Sequence, residues 1–205
     1  MFEIVRRVSD TVYKVVKNEP FPLVLSGNCY ASAAIMAGSN KARLEQTTLS
    51  PRPGVLWLDS HDDLDAPSTH ENSYLDAVAA SMMTGTSWHT LMKTVPGHEP
   101  VDVKQVHYCG LRDVSEIQAK AVKDAGMDAV WGKADAKVDF TASLSQIPDR
   151  PSDATHAYTH LDLDVLDESL GRVNEFRSPG GYLPQDLLSL MQMIPLRVNS
   201  ASLVV

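Results

Sequence analysis

Apolar residues Val5, Val8, Val12, Val15 and Val16 recur at helical spacing, and Pro20 and Pro22 break the pattern before a short apolar run, Leu23 to Leu25. This predicts a helix followed by a buried strand. The turn-forming cluster Ser26-Gly27-Asn28 leads into small apolar residues from Ala31 to Ala37, which predict a closely packed helix ending near Gly38. Val55 to Leu58 reads as the next strand, bounded by Pro53-Gly54, and a helix is expected from about Leu75 to Thr84 with Gly85 as its stop. A third unit pairs a strand from Val103 to Tyr108 with a helix from Ser115 to Ala125, where Ser115 caps and Gly126 terminates. A strand leading into Leu161, a helix from Pro184 to about Met193 and a strand from Ala201 to Val205 complete the pattern. Strands that alternate with helices argue for an α/β fold with a parallel sheet covered on both faces. No repeat, low-complexity tract or linker divides the chain, so residues 1–205 read as one domain.

Composition narrows function more than fold. With 43% apolar and 21% charged residues the sequence is an ordinary globular one, and 18 basic against 26 acidic residues give a formal net charge of −8. That balance repels phosphate backbones and anionic lipid heads, and no local basic patch offsets it, which argues against nucleic acid and membrane surfaces as partners. No apolar run is long enough to span a bilayer, and the N-terminus lacks the apolar core of a signal peptide. Two cysteines far apart, Cys29 and Cys109, suit a reducing cytoplasmic setting better than a disulfide scaffold.

The chemistry concentrates in two clusters. Asp59-Ser60-His61-Asp62-Asp63, followed by Asp65, comes directly after the apolar strand Val55 to Leu58. So many ionisable groups at a strand end are costly unless a cation binds there. Alternation in an extended backbone would point Asp59, His61 and Asp63 the same way, which is metal-ligand spacing. The second cluster is His160-Leu161-Asp162-Leu163-Asp164, where Asp162 and Asp164 share one side. Strand C-termini of a parallel sheet lie along one edge, so the two clusters can converge despite their separation in sequence. Either alone suits a solvated acidic loop equally well; together, each at a strand exit, they favour a centre for two divalent cations.

These segments, with Gly110-Leu111-Arg112-Asp113 and Pro179-Gly180-Gly181 in the same order, resemble the arginase, agmatinase and formimidoylglutamase family of ureohydrolases from about Leu23 to Val205. The resemblance implies a three-layer α-β-α sandwich, a binuclear manganese centre, hydrolysis of a guanidino or amidino carbon-nitrogen bond, and assembly as a homo-oligomer, a trimer or hexamer. Carried over residue by residue, Asp59 and Asp162 bridge the metals, His61 and Asp164 complete one site, and Asp63 serves the other. It further implies that Asp63 carries a proton to the departing amine and that His160 orients Asp162 from behind.

Several positions depart from the family pattern. Cys29 stands where the family places a histidine ligand; a thiolate binds softer ions, so zinc or cobalt becomes possible beside manganese, and an uncoordinated buried cysteine is the alternative. Asp76 occupies the position of the proton-shuttling histidine of arginases, either as a relay or as an exposed acid at a helix start. Asp65, Asn72, Tyr74 and Ser115 replace other polar residues at substrate-binding positions, which disfavours free L-arginine. The resemblance also leads one to expect further chain at both ends, including a guanidinium-gripping glutamate after Val205. Two functional readings follow: a metal-dependent hydrolase of a guanidino or amidino compound, or a metal-binding pseudoenzyme or assembly partner that has lost catalytic residues.

Overall fold

In chain order the strands are β1 (Leu23–Val24), β2 (Pro53–Leu58), β3 (Val106–Leu111), β4 (Asp128–Trp131), β5 (His156–Leu161) and β6 (Ala201–Val204). They come from a computed structural model that describes residues 1–18, 22–46, 52–68, 74–142, 156–171, 174–197 and 201–204. All pairings are parallel, in the spatial order β1-β6-β5-β2-β3-β4. From β2 the chain winds outward through β3 to β4, whereas β5 lies on the other side of β2 with β6 beyond it. The winding therefore reverses between β2 and β5, and open α/β sheets bind ligands at the C-terminal edge beside such a reversal.

Alternation along the strands divides the core into two layers. Val55 and Trp57 of β2, with Tyr108 and Tyr158 of its neighbours, face one side. There they meet Val12 of α1 (Phe2–Asn18), Ile35 of α2 (Ala31–Gln46), Met82 of α3 (Ala79–Met83), Met92 of α4 (His89–Met92) and Val122 of α5 (Glu116–Asp124). Leu58, Cys109 and Leu161 face the other side against Leu190 of α6 (Pro184–Arg197). The result is the expected three-layer α/β sandwich. No helix among the described residues is long and apolar enough to cross a membrane.

Three local expectations change. Helix α2 continues past Gly38 to Gln46, because a Cβ at Gly38 would stand 2.3 Å from the Ser9 carbonyl oxygen of α1. That glycine permits close helix contact and is not a stop. Val103–Gln105 is a 3-10 turn, not the start of a strand: the Asp102 carboxylate accepts from the Lys104 backbone N–H at 3.0 Å, and β3 begins only at Val106. The helix expected from Leu75 to Thr84 is instead a 3-10 turn, Asp76–Val78, followed by the short α3, and β4 forms the far edge of the sheet. By contrast, Ser115 caps α5 as expected, accepting from the Gln118 backbone N–H while its own backbone N–H donates to the Gln118 side chain.

His156, at the start of β5, is only 5% exposed, and burial with the nearby Arg43 charge lowers its imidazole from the ordinary 6.5 to about 3. Between pH 6.5 and 5 the unfolded chain binds a proton here that the folded chain does not. Stability is therefore lost as pH falls, by about 2 kcal/mol from this one group. Urea unfolding at about pH 7 and pH 5 is expected to show a larger stability loss in the wild type than in His156→Gln; the same loss in both contradicts this account.

Candidate metal centre

Asp59 and Asp162 follow the last residues of β2 and β5, and those strands are in register, with Trp57 opposite His160 and Leu58 opposite Leu161. The Asp162 backbone N–H donates to the Leu58 carbonyl at 2.8 Å, so the two aspartates leave the sheet side by side. Beyond that point the backbone turns, and simple alternation stops. The His61 N–H donates to Asp59 Oδ1 at 2.8 Å, and Asp63 adopts a left-handed conformation with φ 48°. On the other strand, the Asp164 N–H donates to Asp162 Oδ1 at 2.9 Å and closes the 3-10 turn Leu163–Val165. Convergence thus comes from aspartate-stabilised turns and not from the extended backbone that spacing suggested.

The loop after β2 is pinned from several sides. The Tyr108 hydroxyl donates to the Asp62 carbonyl at 2.6 Å, the Ser81 N–H donates to the Asp63 carbonyl at 3.1 Å, and Gln118 of α5 donates to the Asp62 and Asp65 carboxylates. Gly110 matters here because a Cβ would meet Val165 Cγ2 at 2.5 Å and the Asp59 carbonyl at 3.1 Å, and its φ of 116° is open only to glycine. Arg112 ties the returning chain together by donating to the carbonyls of Asp164, Leu166, Ser178 and Pro179.

Two groups of potential ligand atoms result, each with all members within 4.8 Å of one another. One holds Asp59, His61 and Asp164; the other holds Cys29, Asp59, His160 and Asp162. His61 Nδ1 lies 3.4 Å from Asp59 Oδ1 and 3.3 Å from Asp164 Oδ2. Cys29, placed by the Ser26 turn just before α2, donates its thiol to Asp162 Oδ2 at 3.1 Å. His160 stacks on Trp57 with centroids 3.9 Å apart, and its Nε2 lies 3.6 Å from Asp59 Oδ2. Among the described residues it makes no hydrogen bond to Asp162, the residue it was expected to orient. Asp63 falls outside both groups, yet it is buried, and its Oδ2 has no hydrogen-bond partner among the described residues.

Like charge dominates the electrostatics. Burial, followed by the Asp59 charge, raises the Asp63 carboxyl well above its ordinary range, and burial with Asp59 and Asp164 pushes Asp162 up to about 6. Burial opposes a charged Asp59, but the imidazoles of His160 and His61 hold it below the usual carboxylate range. Burial likewise opposes a charged His61, yet hydrogen bonding to Asp164 and Asp59 raises it to about 11. A surplus of buried carboxylates with orphaned donor atoms at Asp63 Oδ2 and His160 Nε2 fits divalent cations.

The sequence matches the Arginase family over residues 2–204. The chain belongs to the arginase family. Arginase of Bacillus subtilis is 25% identical over 162 residues, covering 78% of this chain and 52% of that protein. An N(omega)-hydroxy-L-arginine amidinohydrolase of Streptomyces lavendulae is 24% identical over 191 residues, covering 92% of this chain and 61% of its own. Among solved structures, arginase of Bacillus caldovelox superposes with a TM-score of 0.78 at 19% identity, covering all of this chain and 67% of that one. The chain thus spans about half to two-thirds of the length of these proteins.

Around this arginase-family centre the remaining candidates divide. Asp76 accepts from Asn28 Nδ2 at 2.7 Å, and Tyr74 lies beside it, its phenol pushed up to about 12 by burial and then by the Asp76 charge. Asp65 is engaged by Gln118, Ser115 by the α5 cap, and Asn72 lies outside the described residues. Sequence reading passed over Ser32, whose hydroxyl pairs with His160 Nδ1 at 3.0 Å, and Asn174, which donates to Asp164 Oδ2 at 3.1 Å. It also passed over Phe176, which meets His61 edge-on with centroids 6.2 Å apart and packs near Tyr74 at 5.5 Å. No periodic pattern marks these positions; the loop after Asp167 brings Asn174 and Phe176 in.

A cation here relieves carboxylate repulsion, so divalent metal is expected to raise the thermal unfolding midpoint and a chelator to reverse it. Asp63→Asn removes one buried acid and is expected to make the metal-stripped protein more stable by roughly 1 kcal/mol while shrinking the metal-induced rise. Scanning fluorimetry with and without metal checks both. A less stable stripped variant with an undiminished metal response contradicts the account.

Proposed function

We propose that this chain carries the centre of a metal-dependent hydrolase that cleaves a guanidino or amidino carbon-nitrogen bond. The observation that carries this reading is the convergence of Asp59, His61, Asp162 and Asp164, with Asp63 buried behind them, at the winding reversal of an arginase-family sheet. Divalent cations bound there supply Lewis acidity, which lowers the pKa of water toward neutrality. Asp59, Asp162, His61 and Asp164 would hold the pair, with Cys29 and, by the family pattern, Asp63 serving the second cation. Manganese is the family expectation, with zinc or cobalt admitted by Cys29.

The chain's own residues then perform the proton work. Asp63, kept out of water, holds a proton and delivers it to the departing amine, which would otherwise leave as an anion. Asp76, fixed by Asn28, either grips the substrate cation or relays a proton to solvent. Asp65, Asn72 and Tyr74 are the substrate-binding residues of this reading, and the half-exposed rings of Tyr74 and Phe176 flank the approach. A planar cation suits carboxylates and aromatic faces together.

The altered polar positions disfavour free L-arginine and support an arginine derivative such as hydroxyarginine, agmatine or a guanidino acid. The activity for which the Streptomyces lavendulae relative is named lies within that class. Family resemblance supports a homo-oligomer, and cysteine usage with net acidity supports a cytoplasmic setting. Residues 1–205 are read as one domain.

Urea release measured over these guanidino compounds, with manganese, cobalt or zinc supplied to the protein, tests the proposal. Turnover of at least one compound is expected, together with a loss of about 100-fold or more in Asp63→Asn. Bound metal with no turnover of any of them overturns it in favour of a metal-binding pseudoenzyme or assembly partner.

A further inference from the structure

The two halves of the centre differ in the atoms they present. His61, Asp59 and Asp164 offer one imidazole nitrogen and carboxylate oxygens. Cys29, Asp59, His160 and Asp162 offer a sulfur, an imidazole nitrogen and two carboxylates, all within 4.8 Å. Resting on the metal-centre reading above, we infer that Cys29, Asp59, His160 and Asp162 form a four-ligand site selective for a zinc-class cation, so that the centre distinguishes its two metals.

His160 is the decisive residue. It is 2% exposed, and its Nε2 has no hydrogen-bond partner among the described residues while lying 3.6 Å from Asp59 Oδ2. Its other nitrogen lies 3.0 Å from Ser32 Oγ. The tautomer that donates Nδ1–H to Ser32 directs the Nε2 lone pair toward Asp59, Asp162 and Cys29, the usual outer-shell arrangement of a metal-binding histidine. The ring is further fixed by stacking on Trp57, whose indole N–H donates to Asp59 Oδ2 at 3.1 Å. One tryptophan therefore orients both a candidate nitrogen ligand and a candidate oxygen ligand.

Distances suit a shared cation. Tetrahedral ligands at metal distances of ~2.1 Å are about 3.4 Å apart. Here Cys29 Sγ and Asp162 Oδ2 are 3.1 Å apart, and His160 Nε2 and Asp59 Oδ2 are 3.6 Å apart. Donor type then selects the ion: thiolate with imidazole favours zinc and cobalt over manganese, whereas carboxylates with a single imidazole accept manganese. The thiol proton now shared with Asp162 leaves to solvent when the cation binds, so uptake should release one proton at this half.

Cobalt titration of the protein, followed by absorption, tests the inference without relying on turnover. Thiolate coordination produces a near-ultraviolet sulfur-to-cobalt charge-transfer band. That band is expected in the wild type, absent in Cys29→Ser, and abolished by one equivalent of zinc while a second cobalt stays bound. His160→Gln is expected to weaken zinc binding at this half by about 100-fold or more, while Ser32→Ala weakens it about 10-fold. Alkylation of Cys29 in the wild type, slowed by zinc and not by manganese, reads the same contact without a variant. Two cobalt ions bound without the band overturn the inference and leave the hydrolase proposal standing; no metal bound at all overturns both. Unchanged zinc affinity in His160→Gln removes His160 from the site and overturns the four-ligand assignment.

Discussion

Carboxylate repulsion at the junction of β2 and β5 is the constraint to which the surrounding structure answers. Asp59, Asp62, Asp63 and Asp164 are buried, and Asp162 is nearly so, beside strands paired in register. Two such charges 4 Å apart repel by about 4 kcal/mol at an effective dielectric constant of about 20. Arg112 relieves this only through its charge, because its guanidinium hydrogen bonds go to main-chain carbonyls and not to the carboxylates. The two imidazoles, His61 and His160, counter only part of it. Such a concentration of acid is costly without cations, and the turns, Gly110 and the loop contacts hold these oxygens close.

The topology makes that concentration possible. In a fully parallel sheet every strand delivers its C-terminal residue to one edge, and the winding reversal leaves the ends of β2 and β5 without a helix crossing between them. Asp59 and Asp162 occupy equivalent places on adjacent strands, so one hydrogen bond, from the Asp162 N–H to the Leu58 carbonyl, fixes their relation. The similarity to solved arginases at 19% identity extends over the whole chain because this edge geometry is set by backbone pairing and not by most side chains.

Legibility in the sequence followed the range of the interactions. Strands β2 and β5 and the clusters behind them were readable because apolar runs and their terminal acids are contiguous. Capping of α5 by Ser115 was readable for the same reason. The orientation of Asp63 was not, since alternation presumes extended backbone and the chain turns left-handed there. The surroundings of His160 were not readable, because its neighbours Ser32 and Trp57 come from other elements. Gly38 imitated a helix stop because its reason, the approach of α1, is a tertiary contact. Asn174 and Phe176 lie in a loop with no periodicity, and only the fold reveals that they reach Asp164 and His61.

The central claim is that two divalent cations occupy this junction and share Asp59 and Asp162. Anomalous diffraction from crystals of the protein grown with manganese and zinc, recorded at the absorption edge of each metal, tests it most directly. The account predicts two peaks within coordination distance of those aspartates, one beside His61 and Asp164 and the other beside Cys29 and His160. No peak at the ends of β2 and β5, or metal bound only elsewhere on the surface, would contradict it.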